Sequence, residues 1–359
     1  MKFVSSSELA KGMRLARPIY NKNGVLLYDR GTKLTKQGIN SIVNFKLYGI
    51  YILEPVEPVP PMTEDDIEFE RFQTMNVYGI RDTWELLMMG RKMPGLDTVT
   101  RDIQLKYSSV TKKIDFSQTL RSSEDELYKH SLNTAILCAL MATRLRMNDM
   151  DQKNLIKAAL LFDIGCDTDE IKKEDFPEPE EYYIQTGSRG SRIITASENI
   201  SKEVKDIVVG RYRLATGNKT IEDSPLSVKI LQAAQEYDDM TAMKLDEQPM
   251  TGVSAIRKML SNSKKYGAEI ISALVVCLKV LYPGICVGMT DGSSGLVIKS
   301  NNDNVLRPVV LLFDDNRVID LADNTIFKEI QIADIMKQLD KRIHINKELI
   351  EEYLRKYNS

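Results

Sequence analysis

Three short segments in the middle of this 359-residue chain carry side chains that could do acid–base or ligand chemistry. They are Tyr128-Lys-His-Ser131, Leu161-Phe-Asp-Ile-Gly165 and Ala234-Gln-Glu-Tyr-Asp238. Imidazole and carboxylate groups serve as proton donors, proton acceptors and ligands, so His130 and Asp163 are the first candidates for a site. The residue types alone also allow a plain alternative, in which His130 is a hydrogen-bonded core histidine and Asp163 caps a neighbouring loop.

Helical periodicity places these segments on helices. Apolar residues recur every three or four positions in 127–147, 153–165, 204–214, 227–243, 253–262 and 268–281. Residues 1–56 alternate like short strands, and Asn21 to Gly24 suit a tight hairpin turn. Residues 57–70 form a proline-rich linker, 71–282 a helical domain, and 283–359 a small β segment followed by a C-terminal helix at about 346–357. The predicted fold is mainly α, with a helical core between two small β-containing segments.

Composition excludes several classes of protein. Lys and Arg number 49 against 51 Asp and Glu, so the chain lacks the basic surplus of a nucleic-acid-binding protein. No signal-peptide core and no run of 18 apolar residues occurs, which predicts a cytoplasmic protein without a membrane partner. Cys138, Cys166, Cys277 and Cys286 lack the CxxC spacing of a zinc knuckle. The only histidines are His130 and His344.

The three segments resemble landmarks of the HD-GYP family: a helix-borne histidine in a YxHS context, the HDIGK motif and the ADxYDALT motif. The opening ELAKGMRLARPIYNKNGVLLYDRGTKL is similar to the small domain that precedes many HD-GYP domains. The stretch LYPGICVGMTDGSSGLVIKSNNDNVLRPVV is similar to the β segment that follows them. This resemblance implies an HD-type all-helical core and a cyclic di-GMP phosphodiesterase, whose iron-like or manganese-like ions activate water for attack on a phosphodiester.

The resemblance also implies which positions should bind metal. His130 and Asp163 keep ligand types, and Glu126 lies four residues before His130, where some members carry a bridging carboxylate. The remaining ligand positions hold residues that do not bind metal, namely Phe162, Thr186, Gly210, Arg211 and Gln235. Cys166 stands where the family has a phosphate-contacting lysine. The resemblance therefore predicts a dismantled metal centre, and Arg211 would add a positive charge that repels a cation.

Three further features have competing interpretations. Arg211, Arg213, Lys219 and Lys244 are candidates for a phosphate-binding lining, although solvated surface charge is the commoner explanation for such residues. Gly187 and Gly190 resemble a loose phosphate-cradling loop, but no strand leads into them. The acidic run 167–181 lacks the periodicity of a calcium loop and is interpreted as a solvated connection.

Three functional hypotheses follow. The first is an inactive HD-GYP-like protein that binds a cyclic dinucleotide or signalling proteins such as diguanylate cyclases, with no cofactor expected. The second is an active phosphohydrolase with a remodelled iron or manganese centre, built from Glu126, His130 and Asp163 with Glu236 or Asp238. The third is a purely architectural role for the β segments. The sequence fixes neither the oligomeric state nor the ligand.

Overall fold

The structure is a computed structural model that describes residues 2–21, 23–45, 47, 49–53, 64–114, 126–166, 171, 175–242, 249–336, 352 and 355. Lys244, His344 and most of the helix predicted at 346–357 lie outside these residues. The described part divides into an N-terminal β-rich domain, a helical core and a C-terminal sheet, which confirms the predicted fold class. Among the described helices, none combines the length and apolar character needed to span a membrane.

The N-terminal domain surrounds a small apolar core of its own, which includes Leu15, Leu34, Ile42 and Ile50. Its elements are β1 (Lys2–Ser5), a 3₁₀ turn (Ser6–Glu8), β2 (Arg14–Leu15), β3 (Ile19–Tyr20), β4 (Leu26–Tyr28), α1 (Lys36–Asn44) and β5 (Gly49–Leu53). Strand β5 pairs antiparallel with β1 and with β2, and β3 pairs with β4 as a separate hairpin. The hairpin turn has Gly24 at φ +72°, as the Asn-Gly pair predicts.

The helical core contains eleven described elements. They are α2 (Glu64–Met88), α3 (Pro94–Tyr107), α4 (Glu126–Arg144), α5 (Asp149–Leu161), a 3₁₀ turn (Ile164–Cys166), α6 (Pro179–Ala196), α7 (Lys202–Ala215), α8 (Leu226–Thr241), α9 (Gly252–Ser261), α10 (Ser263–Tyr266) and α11 (Ala268–Cys277). Helix α4 is central, and its residues from Ser131 to Ala142 are buried on every side. A helix buried all round must satisfy its polar side chains internally, which matters for the site below.

The C-terminal segment is a five-stranded antiparallel sheet with the order β10-β6-β7-β8-β9. Its elements are β6 (Cys286–Met289), β7 (Ser294–Lys299), β8 (Val309–Leu312), β9 (Val318–Asp320), α12 (Asn324–Glu329) and β10 (Ile332–Ile335). Along β7, Val297 joins the helical core while its neighbours Leu296 and Ile298 face a smaller apolar cluster. Asp334 of β10 accepts hydrogen bonds from Thr251 and Ser254 at the start of α9. One face of the sheet therefore completes the helical core.

The structure differs from the sequence analysis at one domain boundary and in two helices. Helix α2 begins at Glu64, so residues 64–70 of the predicted linker are helical. An acidic first turn and the buried ring of Phe69 explain this, because acidic groups favour a helix N-terminus and the ring packs on the core. Helices α3 and α6 were not predicted. Helix α6 includes Gly187 and Gly190, so these glycines lie within a helix and form no phosphate-binding loop.

The glycines on and near α6 serve close packing. A Cβ on Gly165 would lie 1.8 Å from the backbone oxygen of Thr186, and one on Gly187 would lie 2.9 Å from the ring of Tyr212. A Cβ on Gly210 of α7 would lie 2.8 Å from a methyl group of Val228 on α8. These contacts draw the turn after α5, together with α6, α7 and α8, toward one another around the region that holds the candidate site.

We expect Gly165→Ala to lower the free energy of unfolding by about 3 kcal/mol or more, because over-packing usually costs 1–3 kcal/mol and here the obstacle is backbone. Chemical denaturation measures the change. Gly288→Ala is the matched control, since no atom lies within 4 Å of its added Cβ, and its effect should stay within about 0.5 kcal/mol. Equal effects of the two substitutions would contradict the packing argument.

Candidate functional site

Four ionisable side chains meet where α4, α8 and the turn after α5 converge. His130 comes from α4, Asp163 follows the C-terminal end of α5, and Asp238 and Asp239 are successive residues of α8. His130 Nδ1 lies 2.8 Å from Asp238 Oδ2. On the opposite side of the ring, Nε2 lies 3.4 Å from Asp163 Oδ2 and 3.6 Å from Asp239 Oδ1. One imidazole is therefore surrounded by three carboxylates.

Asp238 is held by a second donor. Its Oδ1 accepts a hydrogen bond of 2.9 Å from Asn133 Nδ2, while its Oδ2 is bonded to His130. Asn133 Oδ1 in turn accepts a hydrogen bond of 2.8 Å from Gln73 Nε2 of α2. Gln73, Asn133 and Asp238 are all buried. This chain of hydrogen bonds fixes the orientation of the His130 ring, because each member is held by the next.

The other imidazole nitrogen has no hydrogen bond among the described residues. His130 Nε2 is buried, and its distances to Asp163 and Asp239 are those of ion pairs. The ring of Phe162 meets the imidazole edge to face, with the ring centroids 5.8 Å apart. A neutral ring with its proton on Nδ1 would point a lone pair at two carboxylates, so the charged imidazolium suits this surrounding better.

The environment raises the pKa values of His130, Asp163 and Asp238. Burial alone would lower the pKa of His130, but Asp239, the hydrogen bond with Asp238 and the charge of Asp163 outweigh burial and raise the pKa from 6.5 to about 10. Burial raises the pKa of Asp163 from 3.8 to about 7, against the lowering effect of His130. Burial likewise raises the pKa of Asp238. These three groups therefore bind protons more tightly than they do in water, and His130 is a cation at neutral pH.

Asp163 and Asp239 also line a cavity of about 590 Å³ between α6, α7 and α8. Aromatic rings and polar side chains share its wall, including Phe162, Tyr183, Tyr212, Arg211, Gln232, Gln235, Glu236 and Lys265. On α8 the lining residues recur at positions 232, 235, 236 and 239, which is one helical face about 10 Å long at 1.5 Å per residue. The volume falls within the range of small-molecule sites.

Arg211 lies in the wall of this cavity. Its guanidinium is buried, and Nε donates a hydrogen bond of 2.9 Å to Gln235 Oε1. Nη2 lies 3.7 Å from Glu236 Oε1, which is beyond hydrogen-bond distance. The second carboxylate oxygen of Glu236 accepts hydrogen bonds from Lys265 Nζ at 2.6 Å and from the Tyr266 hydroxyl at 2.7 Å. Arginine stays charged even where burial lowers its pKa, so the cavity contains a fixed cation.

The structure brings some of the remaining predicted residues together and leaves others apart. Thr186 is buried on α6, where its hydroxyl bonds to the carbonyl of Tyr182, and Cys166 lines the cavity beside it. Gly210 faces Val228 and packs α7 against α8. Glu126 begins α4, one turn before His130, and is not among the residues that line the cavity.

Of the predicted phosphate-binding residues, only Arg211 lines the cavity. Arg213 and Lys219 are not among its lining residues, and Lys244 lies outside the described part of the chain. Lys265 is the second lysine or arginine of the lining, and the sequence analysis did not single it out. Its sequence context, Ser263 to Tyr266 in a short helix, carries no motif that could have identified it.

Asp239 was missed as well, although a signal for it exists. The motif ADxYDALT has alanine immediately after its second aspartate, whereas this chain has a second consecutive aspartate. The extra carboxylate faces His130 Nε2 and the cavity. Gln73 and Asn133 lie outside the three motifs and could be found only from the structure.

These residues do not fit a two-metal centre. Such a centre holds two ions about 3.5–4 Å apart and needs several histidine and carboxylate ligands. Within the described ranges, no group of three or more His, Cys, Asp or Glu side chains is placed to hold a metal ion, and His130 is the only histidine there. The Arg211 guanidinium lines the same cavity as Asp163, and the Phe162 ring packs against His130. An imidazolium, moreover, has no lone pair to offer to a metal.

In a comparison with known protein families, residues 116–270 match a family model described as HD domain. The cyclic di-GMP phosphodiesterase PA4108 of Pseudomonas aeruginosa is 22% identical over 204 residues, which cover 54% of this chain and 49% of that protein. The chain thus matches about half the length of this curated relative. The solved structure of Bd1817, a HDG"Y"P protein from Bdellovibrio bacteriovorus, is 15% identical, covers 76% of this chain and 97% of its own, and has a TM-score of 0.45.

The family-model match and the curated relative bear out the resemblance drawn from the motifs. Residues 116–270 are similar to the HD domain, and the chain resembles HD-GYP proteins. The same two matches support a member of a phosphohydrolase family.

The raised pKa of His130 is directly measurable, because the chain has only two histidines. We expect NMR of histidine-labelled protein to show one imidazole that stays protonated through neutral pH and titrates near pH 10. His130→Gln assigns the signal by removing it. An imidazole at position 130 that titrates near its ordinary pKa of 6.5 would contradict the imidazolium cluster.

The same shifts set the sign of the pH dependence of stability. A group whose folded-state pKa is raised contributes stability below its unfolded pKa, and this contribution is lost as the pH rises through the folded value. For His130 the loss runs from about pH 6.5 to about pH 10, and for Asp163 from about pH 3.8 to about pH 7. We therefore expect the free energy of unfolding to fall between pH 7 and pH 10, with a shallower fall in His130→Gln, as measured by urea denaturation.

Proposed function

We propose that this chain, an HD-domain protein similar to a cyclic di-GMP phosphodiesterase, binds a cyclic dinucleotide in its central cavity without hydrolysing it. The observation that carries the proposal is the position of Arg211. This residue stands where the family resemblance implies a metal-binding histidine, and its buried guanidinium lines the cavity beside Asp163. A fixed organic cation replaces a metal ion as the group that attracts phosphate.

The cavity wall supports a nucleotide as the ligand. A guanidinium binds phosphate oxygens through parallel N–H groups, and the Nη2 of Arg211 has no hydrogen bond to its nearest carboxylate, that of Glu236. Lys265 adds a second cation at the rim, although Glu236 already engages it. Phe162, Tyr183 and Tyr212 offer ring surfaces, and aromatic side chains stack on nucleobases regardless of base identity.

The loss of hydrolysis follows from the charges near His130. Metal-assisted hydrolysis requires an activated water and a positive centre that absorbs the charge of the transition state. Here the imidazolium of His130 is paired with Asp163, Asp238 and Asp239, and in this protonated form it has no lone pair with which to accept a proton from water. The ion pairs leave His130 in a structural role.

A second candidate function is an active phosphohydrolase with a remodelled centre. The observation in its favour is that Asp163 Oδ2 and Asp239 Oδ1 lie 3.4 Å and 3.6 Å from His130 Nε2. Glu236 and Asp238, the two other carboxylates considered for such a centre, already make hydrogen bonds with protein side chains. Glu236 accepts from Lys265 and Tyr266, and Asp238 bonds to His130 and Asn133.

Elemental analysis and a turnover assay separate the two candidates. We expect the purified chain to contain far less than one transition-metal ion per molecule and to release no product from cyclic di-GMP with added Mn²⁺ or Fe²⁺. Stoichiometric metal together with turnover that disappears in Asp163→Asn would instead establish the phosphohydrolase. Turnover that survives in Asp163→Asn would point to a contaminating enzyme.

Calorimetry with cyclic di-GMP tests the binding proposal. We expect Arg211→Met to weaken binding by roughly tenfold or more, since hydrogen bonds to charged groups contribute about 1.5–3 kcal/mol. Arg213→Met is the matched control, because Arg213 is exposed, lies two residues away and is not among the lining residues. Equal losses in both variants would indicate surface electrostatics, and the absence of binding by the unaltered chain would overturn the proposal.

A further inference from the structure

Helix α2 contacts two parts of the molecule at once. On one side it packs against the N-terminal domain, and on another it packs against α4, the helix that carries His130. Glu70 belongs to the first contact and Gln73 to the second, and residues three positions apart are neighbours on a helix. The two contacts are therefore separated by less than one helical turn.

The contact with the N-terminal domain is a buried ion pair. Arg17 Nη1 donates to Glu70 Oε1 at 2.5 Å, and the two residues are 8% and 4% exposed. Tyr20, also buried, lies close enough to Glu70 for that carboxylate to contribute to its raised pKa. Removing one partner of a buried pair leaves the other charge without compensation, so the pair constrains how the domain sits on α2.

The β3–β4 hairpin makes a second contact with α2. A Cβ on Gly24 would lie 2.7 Å from Met75 Sδ and 2.9 Å from Arg71 Nε, so the turn already touches these two side chains. The hairpin and the ion pair fix the same stretch of α2, residues 70–75. Movement of the domain would therefore displace this stretch.

From α2 the hydrogen bonds run without interruption to His130. Gln73 Nε2 donates to Asn133 Oδ1 at 2.8 Å, Asn133 Nδ2 donates to Asp238 Oδ1 at 2.9 Å, and Asp238 Oδ2 bonds to His130 Nδ1 at 2.8 Å. His130 Nε2 then faces Asp163 and Asp239, which line the cavity. Every side chain between α2 and His130 is buried, so water cannot replace a lost bond at low cost.

We propose that Gln73 and Asn133 are positioning residues of the site, and that the N-terminal domain controls the site through the Arg17–Glu70 ion pair and α2. A shift of the domain moves α2, α2 moves Gln73, and the hydrogen-bond chain transmits the change to His130 and the cavity carboxylates. This series of buried hydrogen bonds has two arrangements, one with and one without the Gln73–Asn133 bond. The position of the N-terminal domain determines which arrangement is more populated.

The imidazole of His130 reports on this coupling in the full-length chain, without any ligand. We expect Arg17→Lys and Glu70→Gln to move the ¹⁵N resonances of His130 by more than a line width, and Gln73→Leu to move them further. Arg17→Lys keeps the positive charge beside Glu70, so it perturbs the contact with the least risk to folding. It also lies outside α2, so a response in this variant must cross the domain contact.

Glu68→Gln is the matched control. Glu68 lies on the same helix, two residues before Glu70, and forms an exposed ion pair with Lys106. Surface ion pairs contribute little, so this variant should leave the His130 resonances in place. If Gln73→Leu moves the resonances while Arg17→Lys and Glu70→Gln do not, the N-terminal domain is not coupled to the site. If Gln73→Leu has no effect either, the positioning role is wrong as well.

The consequence for ligand binding rests on the proposed function. With cyclic di-GMP as the probe, we expect the dissociation constant to change about fivefold in Arg17→Lys and to stay unchanged in Glu68→Gln, which corresponds to the loss of about one hydrogen bond. Shifted resonances without nucleotide binding by any form would support the coupling and reject the nucleotide. Binding that is equal in all forms, with unchanged resonances, would support the nucleotide and reject the coupling.

Discussion

The buried carboxylate of Asp238 is the constraint on which the rest of the site depends. It is fully excluded from solvent, and a charge in that position is tolerated only where donors surround it. His130 and Asn133 of α4 supply these donors, so α4 and α8 must stay in one register. The orientation of the imidazole, the approach of Asp163 and Asp239, and the link to Gln73 all follow from this one requirement.

Opposite charges balance one another around the cavity. Two organic cations, His130 and Arg211, face the carboxylates of Asp163, Asp239 and Glu236. The side chains of the cluster thus compensate one another's charge. The Phe162 ring covers one side of the imidazole, and the low polarity of this contact strengthens the nearby ion pairs. The arrangement is a largely buried salt cluster.

Much of the fold could be predicted from the sequence, because helical periodicity is strong in α4, α5, α7 and α8 and turn residues bound the C-terminal strands. Helix α6 was missed since its glycines suggest a loop, whereas they serve packing against Gly165 and Tyr212. The motifs identified His130 and Asp163. The second consecutive aspartate was a signal for Asp239. Gln73 and Asn133 could not be identified from the motifs, because their contacts depend on which helix faces meet across the core.

The three parts of the molecule differ in how their apolar cores are joined. The C-terminal sheet contributes Val287, Val297 and Val310 to the same core as the helices, whereas the N-terminal domain has a separate core centred on Leu15 and Ile42. Cooperative unfolding units follow such boundaries. The sheet and the helices should therefore melt as one unit, while the N-terminal domain can open on its own at lower free energy, exposing Glu70 and α2 before the helical core is disturbed.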